Sequence, residues 1–311
     1  MKFTAAIEVY VRDQFRAGAF NSRHTELAYR EKLNRFADHV GNRDPRTVGR
    51  NEIKAFLGDN WTGNSQRHAH AILASFFDFA MEEGWRKDNP ARQVRRAKAK
   101  PPAVARLTRD EVVRLLEASK EKRRDKWAAH LGCCAGLRAQ EITGMQGRHF
   151  ARPGFIWVSN DVAKGGIERW VPVLLDMAPV VDEINALITA PDEFVLPGRR
   201  SLNPPEHTIF REHPTKRLSY TALYKQIIAL GERAGLSTRV SPHVMRRAFA
   251  EHVARTAGLR AAQALLGHAS VETTTHYTER PSLDELAVTV QGFSFYPAAR
   301  EVETPDGIAD A

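Results

Sequence analysis

The chain has 311 residues and a formal net charge of +9, long enough for two domains and basic enough to favour a polyanionic partner, because phosphates neutralised by Lys and Arg release condensed counterions. No run of about 18 apolar residues occurs, and the start passes straight into a polar-apolar helical pattern, so neither a membrane span nor a signal peptide is expected. The two cysteines, adjacent at Cys133 and Cys134, exclude a disulfide framework and suggest buried, reduced thiols in a cytoplasmic protein.

Through residues 1–90 the apolar spacing is helical. Ile7, Val11 and Phe15 mark one face of a first helix. Leu33, Phe36, Ala37 and Val40 mark a second, with Ser22 as its N-cap and Glu26 in its opening turn. Ile53, Phe56 and Leu57 form a shorter third stripe. Ala69, Ile72, Leu73, Phe76, Phe77 and Ala80 repeat at helical spacing in a fourth, which Gly84 ends. An aromatic stripe so placed belongs to a core rather than to a base-stacking platform, and the segment reads as a small helical bundle.

Asn89-Pro90 stops the fourth helix. Arg92, Arg95, Arg96, Lys98, Lys100 and Arg106 then follow with no acidic residue, around Pro101-Pro102. Residues 91–106 are expected to link two domains, either as a solvated connector or as a basic strap along a phosphate backbone. A capping box at Thr108 and Glu111 opens a new helix with Val112, Leu115 and Leu116 as its apolar face, so a second unit starts at 107. Phe155 to Val158 and Trp170 to Val173 read as strands of a hairpin around Lys164-Gly165-Gly166. From Ser219 the signals return to helix, through Leu223, Ile227 and Leu230, then from Val244 to Ala257 before Gly258. The chain is therefore expected to be mainly α: a helical bundle over 1–90, a mostly helical domain with a small antiparallel β-sheet over 107–290, and a tail over 291–311.

Several residues of the second domain suit one chemistry. Breaking a phosphodiester needs a nucleophile, neutralisation of charge in the transition state and a proton for the leaving oxygen. Arg138 and Arg246 carry the planar fork that binds two phosphate oxygens. Arg138, with Glu141 three residues on, also reads as an ion pair, and the two readings agree if the carboxylate holds the guanidinium in place. His243 precedes Arg246 by three positions, on one face of a helix with Pro242 in its first turn, near the end that welcomes a phosphate. Each histidine alone, His268 included, reads as an ordinary structural residue. Tyr277 alone reads as a half-buried aromatic, and its phenol, with a free pKa of about 10, needs positive surroundings to attack. His68 and His70 lack i, i+4 spacing and no H-E-x-x-H or paired C-x-x-C occurs, so no metal site is expected. Cys133 and Cys134 have no legible activating base and read as packing.

The settings of these residues resemble the tyrosine recombinases, also called phage integrases. G-L-R-A-Q-E at Arg138 is similar to the motif bearing the family's first catalytic arginine, and H-V-M-R at His243 to its H-x-L-R motif. L-G-H-A-S-V-E-T-T-T-H-Y-T, with His268 and Tyr277, is similar to its L-G-H...Y segment. Ala163 to Arg169, followed by V-P-V, is similar to the hairpin that bears its lysine. The resemblance implies that Arg138, Arg246 and His268 contact the scissile phosphate and that Glu141 buttresses Arg138. It further implies that His243 supports proton transfer, that Lys164 protonates the leaving 5'-hydroxyl, and that Tyr277 forms a 3'-phosphotyrosyl ester. No metal, ATP or other cofactor is implied, and no G-x-x-x-x-G-K-[ST] loop is present.

The resemblance extends, less specifically, to a SAM-like core-binding domain over the first half, and implies two domains clamped round double-stranded DNA, with the basic linker between them. It further implies a homotetramer in the synaptic complex from a monomer off DNA, accessory DNA-bending proteins, and a C-terminal helix docked on a neighbouring protomer. Packing of that helix on its own domain is the simpler expectation. Two positions depart from the pattern: Met245 replaces the usual Leu, and Arg247 stands where a second His is common. No additional small domain is expected before the bundle, so a simpler recombinase is expected rather than one of the integrases that read distant arm sites. DNA relaxation or end resolution with the same residues is a second reading, and a DNA-binding protein with a decayed site a third, disfavoured because all six expected positions hold competent residues.

Overall fold

The structure, a computed structural model, describes residues 1–20, 23–98, 105–163, 168–201, 210–267, 283–290 and 292–296. The chain divides into two units, Met1–Val104 and Ala105–Ala311, each with its own apolar core.

The first unit is built from α1 (Phe3–Arg16), α2 (Arg23–His39), α3 (Arg50–Asn60) and α4 (Gly63–Glu82). The apolar stripes expected on α2, α3 and α4 are all buried. On α1 the stripe is Phe3, Ala6, Ile7, Tyr10 and Val11, whereas Phe15 is 69% exposed. The i, i+3, i+4 series that starts at Phe3 continues at position 14, so Phe15 falls off the buried face. Phe3 stacks on Phe76 with ring centroids 4.9 Å apart and meets Phe36 edge-on, tying α1 to α4 and α2. Ser22, the expected cap of α2, lies outside the described residues.

The stretch after α4 differs from the expected connector. Asn89 is buried; its amide donates to the Ala74 carbonyl and to Asp78, and its oxygen accepts from the backbone N–H groups of Ala91 and Arg92. Ala91 and Val94 join the core of the bundle. Nε2 of His70 lies 3.0 Å from the carbonyl oxygens of both Ala91 and Val94, a setting in which that nitrogen carries the proton and donates. Arg67 donates to the carbonyl of Ala97. Two apolar side chains three residues apart and one buried asparagine thus hold residues 91–98 on the first unit, while Arg92, Arg95, Arg96 and Lys98 remain exposed. Lys100 and Pro101-Pro102 lie outside the described residues.

The second unit opens with α5 (Arg109–Ser119), capped as expected by the reciprocal pair Thr108 and Glu111. α6 (Arg123–Cys133) and the short α7 (Ala139–Gly144) follow. β1 (Phe155–Val158) and β2 (Arg169–Pro172) pair antiparallel, with Val158 opposite Arg169. α8 (Ala178–Leu187) leads to a second antiparallel pair, β3 (Pro197–Ser201) and β4 (Phe210–Arg217). This pair carries no apolar alternation, its sequences being P-G-R-R-S and F-R-E-H-P-T-K-R, so periodicity gives no sign of it. α9 (Tyr220–Arg233), α10 (Pro242–Thr256), α11 (Gly258–Leu266) and α12 (Leu283–Val290) complete the unit. α6 packs against α5, α9 and α10. At the α6–α10 contact a Cβ on Gly132 would lie 2.5 Å from the terminal carbon of Met245, so glycine leaves the space that the longer Met side chain fills.

Leu286 and Val290 of α12 are buried against the same chain. The described residues that follow pack on the same unit: Phe293 and Phe295 belong to the core and lie against the His252 ring. Arg109 donates to the carbonyl oxygens of Phe295 at 2.6 Å and Tyr296 at 2.7 Å. Asp176 accepts from the Ser294 hydroxyl and the Phe295 backbone N–H, and the Tyr296 hydroxyl donates to Glu117. Among the described residues no helix is long and apolar enough to cross a membrane.

Candidate active site

The site is organised by Glu141, whose side chain is fully buried. After α6 the chain turns through Gly136 at φ +62°, and a Cβ there would lie 2.3 Å from the Phe249 ring, so only glycine brings this backbone against α10. Arg138 then precedes the first turn of α7. Its backbone N–H donates to Oε2 of Glu141 at 2.8 Å, the return half of a capping box. Its Nη1 donates to Oε1 at 2.9 Å. Local helix capping and the ion pair expected from sequence are one arrangement, and the Arg138 side chain stays 25% exposed.

Arg246 comes from one turn inside α10, whose N-cap, Ser241, accepts from the Val244 backbone N–H. It is buried, donates to the carbonyls of Gly136 and Leu266 at 2.6 Å each, and lies 3.8 Å from Oε2 of Glu141. Burial, with Arg138 beside it, pushes its pKa down to about 9, which leaves it cationic at neutral pH. His243 sits on the first turn of α10 and is exposed, while Arg246 one turn on is buried. The shared helical face therefore reaches from solvent into the site.

Arg169 is the residue that sequence reasoning passed over, quoting it only as the last letter of the hairpin motif. It is the first residue of β2 and is buried. Nη1 and Nη2 grip both oxygens of Glu141 at 3.0 and 2.8 Å, and Nε donates to the carbonyl of Leu265 at 2.9 Å. A signal existed: a charged residue at an inward position beside Trp170 and Val171 needs a buried counter-charge. Burial favours protonation of Glu141, but the bonds and charge of Arg169, with those of Arg138, outweigh it and hold the carboxyl below the ordinary range.

α11 ends at Gly267, in the left-handed region at φ +60°, where a Cβ would lie 2.8 Å from Cδ of Arg169. The described chain stops there. Lys164, His268 and Tyr277 lie outside the described residues. Arginines from three elements converge on one carboxylate, a net charge of +3 − 1 = +2 suited to a phosphate. Among the described residues no group of three or more His, Cys, Asp or Glu could hold a metal ion. Both cysteines are buried and burial pushes the Cys133 thiol up to about 12, so they serve packing.

The basic residues proposed for DNA divide. All the described ones are exposed, but Arg92 pairs with Asp78 at 2.7 Å and Arg106 with Glu251 at 3.4 Å, and Arg95, Arg96 and Lys98 lie on the strap.

The model of the phage integrase family matches residues 105–282. Tyrosine recombinase XerC of Vibrio parahaemolyticus is 29% identical over 269 residues, 83% of this chain and 83% of its own. The lambda integrase (75–356) dimer bound to a COC' core site superposes with a TM-score of 0.70 at 21% identity, over 90% of this chain and 99% of that one. A lambda integrase tetramer bound to a Holliday junction gives a TM-score of 0.68 at 19% identity, over 89% of this chain and 80% of that one. At these identities the two solved structures share the fold.

Proposed function

This chain belongs to the phage integrase family, and on that premise we propose that it is a site-specific DNA recombinase that cuts and rejoins strands through an ester between Tyr277 and a 3'-phosphate. The observation that carries the reading is the meeting of Arg138 and Arg246 on one buried carboxylate, Glu141, from segments far apart in the chain. Two guanidiniums held in this way can neutralise the charge that develops on the non-bridging oxygens of an attacked phosphate.

In this reading the Tyr277 oxygen attacks phosphorus, the bond from phosphorus to the 5'-oxygen breaks, and Lys164 supplies the proton to that oxygen. His243 supports proton transfer, and His268 joins the arginines on the phosphate. One phosphodiester is exchanged for another, so attack by a second strand's 5'-hydroxyl rejoins DNA without a nucleotide cofactor. Double-stranded DNA is the substrate. Four copies on two duplexes form the synaptic complex of this reading, which the lambda integrase tetramer bound to a Holliday junction supports, with accessory DNA-bending proteins as further partners.

The test begins with a sequence that the full chain selects from a pool of random duplexes. A nicked suicide duplex of that sequence traps a covalent adduct with the wild type and none with Tyr277→Phe; an adduct from the Phe variant sinks the nucleophile assignment. Exchange between two marked duplexes is expected, and relaxation without exchange overturns recombination.

A further inference from the structure

We infer that Arg169 is the counter-ion that lets Glu141 position Arg138 without drawing charge from the phosphate site, which makes it a positioning residue for strand cleavage. The inference rests on the recombinase reading and concerns the same site.

Glu141 is fully buried and accepts four hydrogen bonds, from the Arg138 backbone N–H, Arg138 Nη1, and Nη1 and Nη2 of Arg169. Two tasks compete at that carboxylate. It must orient Arg138, and its own negative charge, desolvated, must be neutralised. Were Arg138 its only strong partner, the guanidinium meant for phosphate would be spent on Glu141. Arg169 removes the conflict by closing its whole fork on the carboxylate. Arg138 then spends one side-chain N–H there and keeps the rest of its face for a ligand.

Charge arithmetic gives the same answer. Arg138, Arg246 and Arg169 with Glu141 sum to +3 − 1 = +2; without Arg169 they sum to +1. Half of the net charge of these four residues therefore depends on one that does not face the phosphate. Arg169 is not itself a phosphate ligand: its side chain is 7% exposed, both Nη atoms hold Glu141 and Nε holds Leu265. The bond to Leu265 lies just ahead of Gly267, so the same guanidinium also joins β2 and α7 to the end of α11.

The experiment is single-turnover cleavage of the nicked duplex, with affinity for the uncut duplex measured in parallel. Absence of a wild-type adduct overturns the recombinase reading and this proposal with it. Given a wild-type adduct, Arg169→Met is expected to slow cleavage about tenfold to hundredfold, with a much smaller change in affinity. The double variant Arg169→Met/Glu141→Gln, which removes both charges, is expected to cleave about tenfold faster than Arg169→Met alone, and Arg169→Lys to fall between Met and wild type. A folded double variant as slow as Arg169→Met, or slower, overturns the counter-ion role and leaves a packing role.

A second readout does not need the double variant to fold. In Arg169→Met the charged groups facing Glu141 among the described residues are Arg138 and Arg246, and protonation of Glu141 restores their net charge of +2. The ratio of variant to wild-type rate is therefore expected to rise as pH is lowered from about 8 to about 5.5. A ratio independent of pH overturns the proposal.

Discussion

Arg246 donates to the carbonyl oxygen of Gly136 at 2.6 Å, across 110 residues of chain. The acceptor sits in a turn that only glycine makes, beside the Phe249 ring. A packing requirement and a site requirement coincide in one peptide unit. Gly136→Ala is accordingly expected to cost about 2–4 kcal/mol, from positive φ and overpacking together. Urea unfolding of the full chain checks this: the second unit's transition should move to lower urea and the first unit's should stay.

Arg246→Lys is expected to lower single-turnover cleavage about 10²–10³-fold. A single ammonium cannot span the carbonyls of Gly136 and Leu266 and still present two donors to a phosphate. Affinity for the uncut duplex should change far less; a parallel loss of both would assign Arg246 to binding alone.

Glu141→Gln is expected to destabilise the second unit by about 3–5 kcal/mol, because Arg169 and Arg246 are left buried without a counter-charge. Its pH dependence has a definite sign. The folded carboxyl lies below its ordinary value, so its stabilisation is fully present above the unfolded pKa of about 4.3 and is lost as pH falls through the depressed folded value. The difference in unfolding free energy between wild type and Glu141→Gln should be flat above about pH 6 and shrink below about pH 4.

Asn89→Ala should cost the first unit about 2 kcal/mol, since four hydrogen bonds vanish and buried partners are left open. Amide exchange at residues 91–98 should accelerate before that of α4. Equal acceleration in both would mean that the strap has no separate fastening.

Replacing Arg95, Arg96 or Lys98 by Ala should lower the slope of log affinity for duplex DNA against log salt by about 1 each. Arg92→Ala should lower it less, because its charge is already paired with Asp78. Unchanged slopes for the first three would remove the strap from the DNA interface.

Legibility from sequence followed physical locality. The apolar stripes of α2, α3 and α4 were readable because burial repeats every helical turn, and the cap at Thr108 because its partners lie three residues apart. Arg138 with Glu141 was readable for the same reason. Phe15 misled because the stripe's phase is set by Phe3, whose place is fixed by rings on α2 and α4. The β3–β4 pair was invisible because its residues are mostly polar or charged, with proline and glycine among them. Arg169 was hidden by distance: its partners are 28 and 96 residues away, and nothing beside it in the chain names either. Residues 91–98 read as a connector because four basic side chains outweighed Ala91 and Val94, which do the fastening.

The hook that Arg109 makes on the carbonyls of 294–296 bears on how the second unit is born. Its donor emerges from the ribosome about 185 residues before its acceptors, and the cost of closing so long a loop is met late. Until the segment with Phe293 and Phe295 has been made, α5 has its Thr108–Glu111 cap but not the bonds from Arg109 to that segment, while the first unit already has every residue of its own core. Synthesis therefore yields a bundle with its core complete while Arg109, at the start of α5, still awaits its acceptors at 294–296.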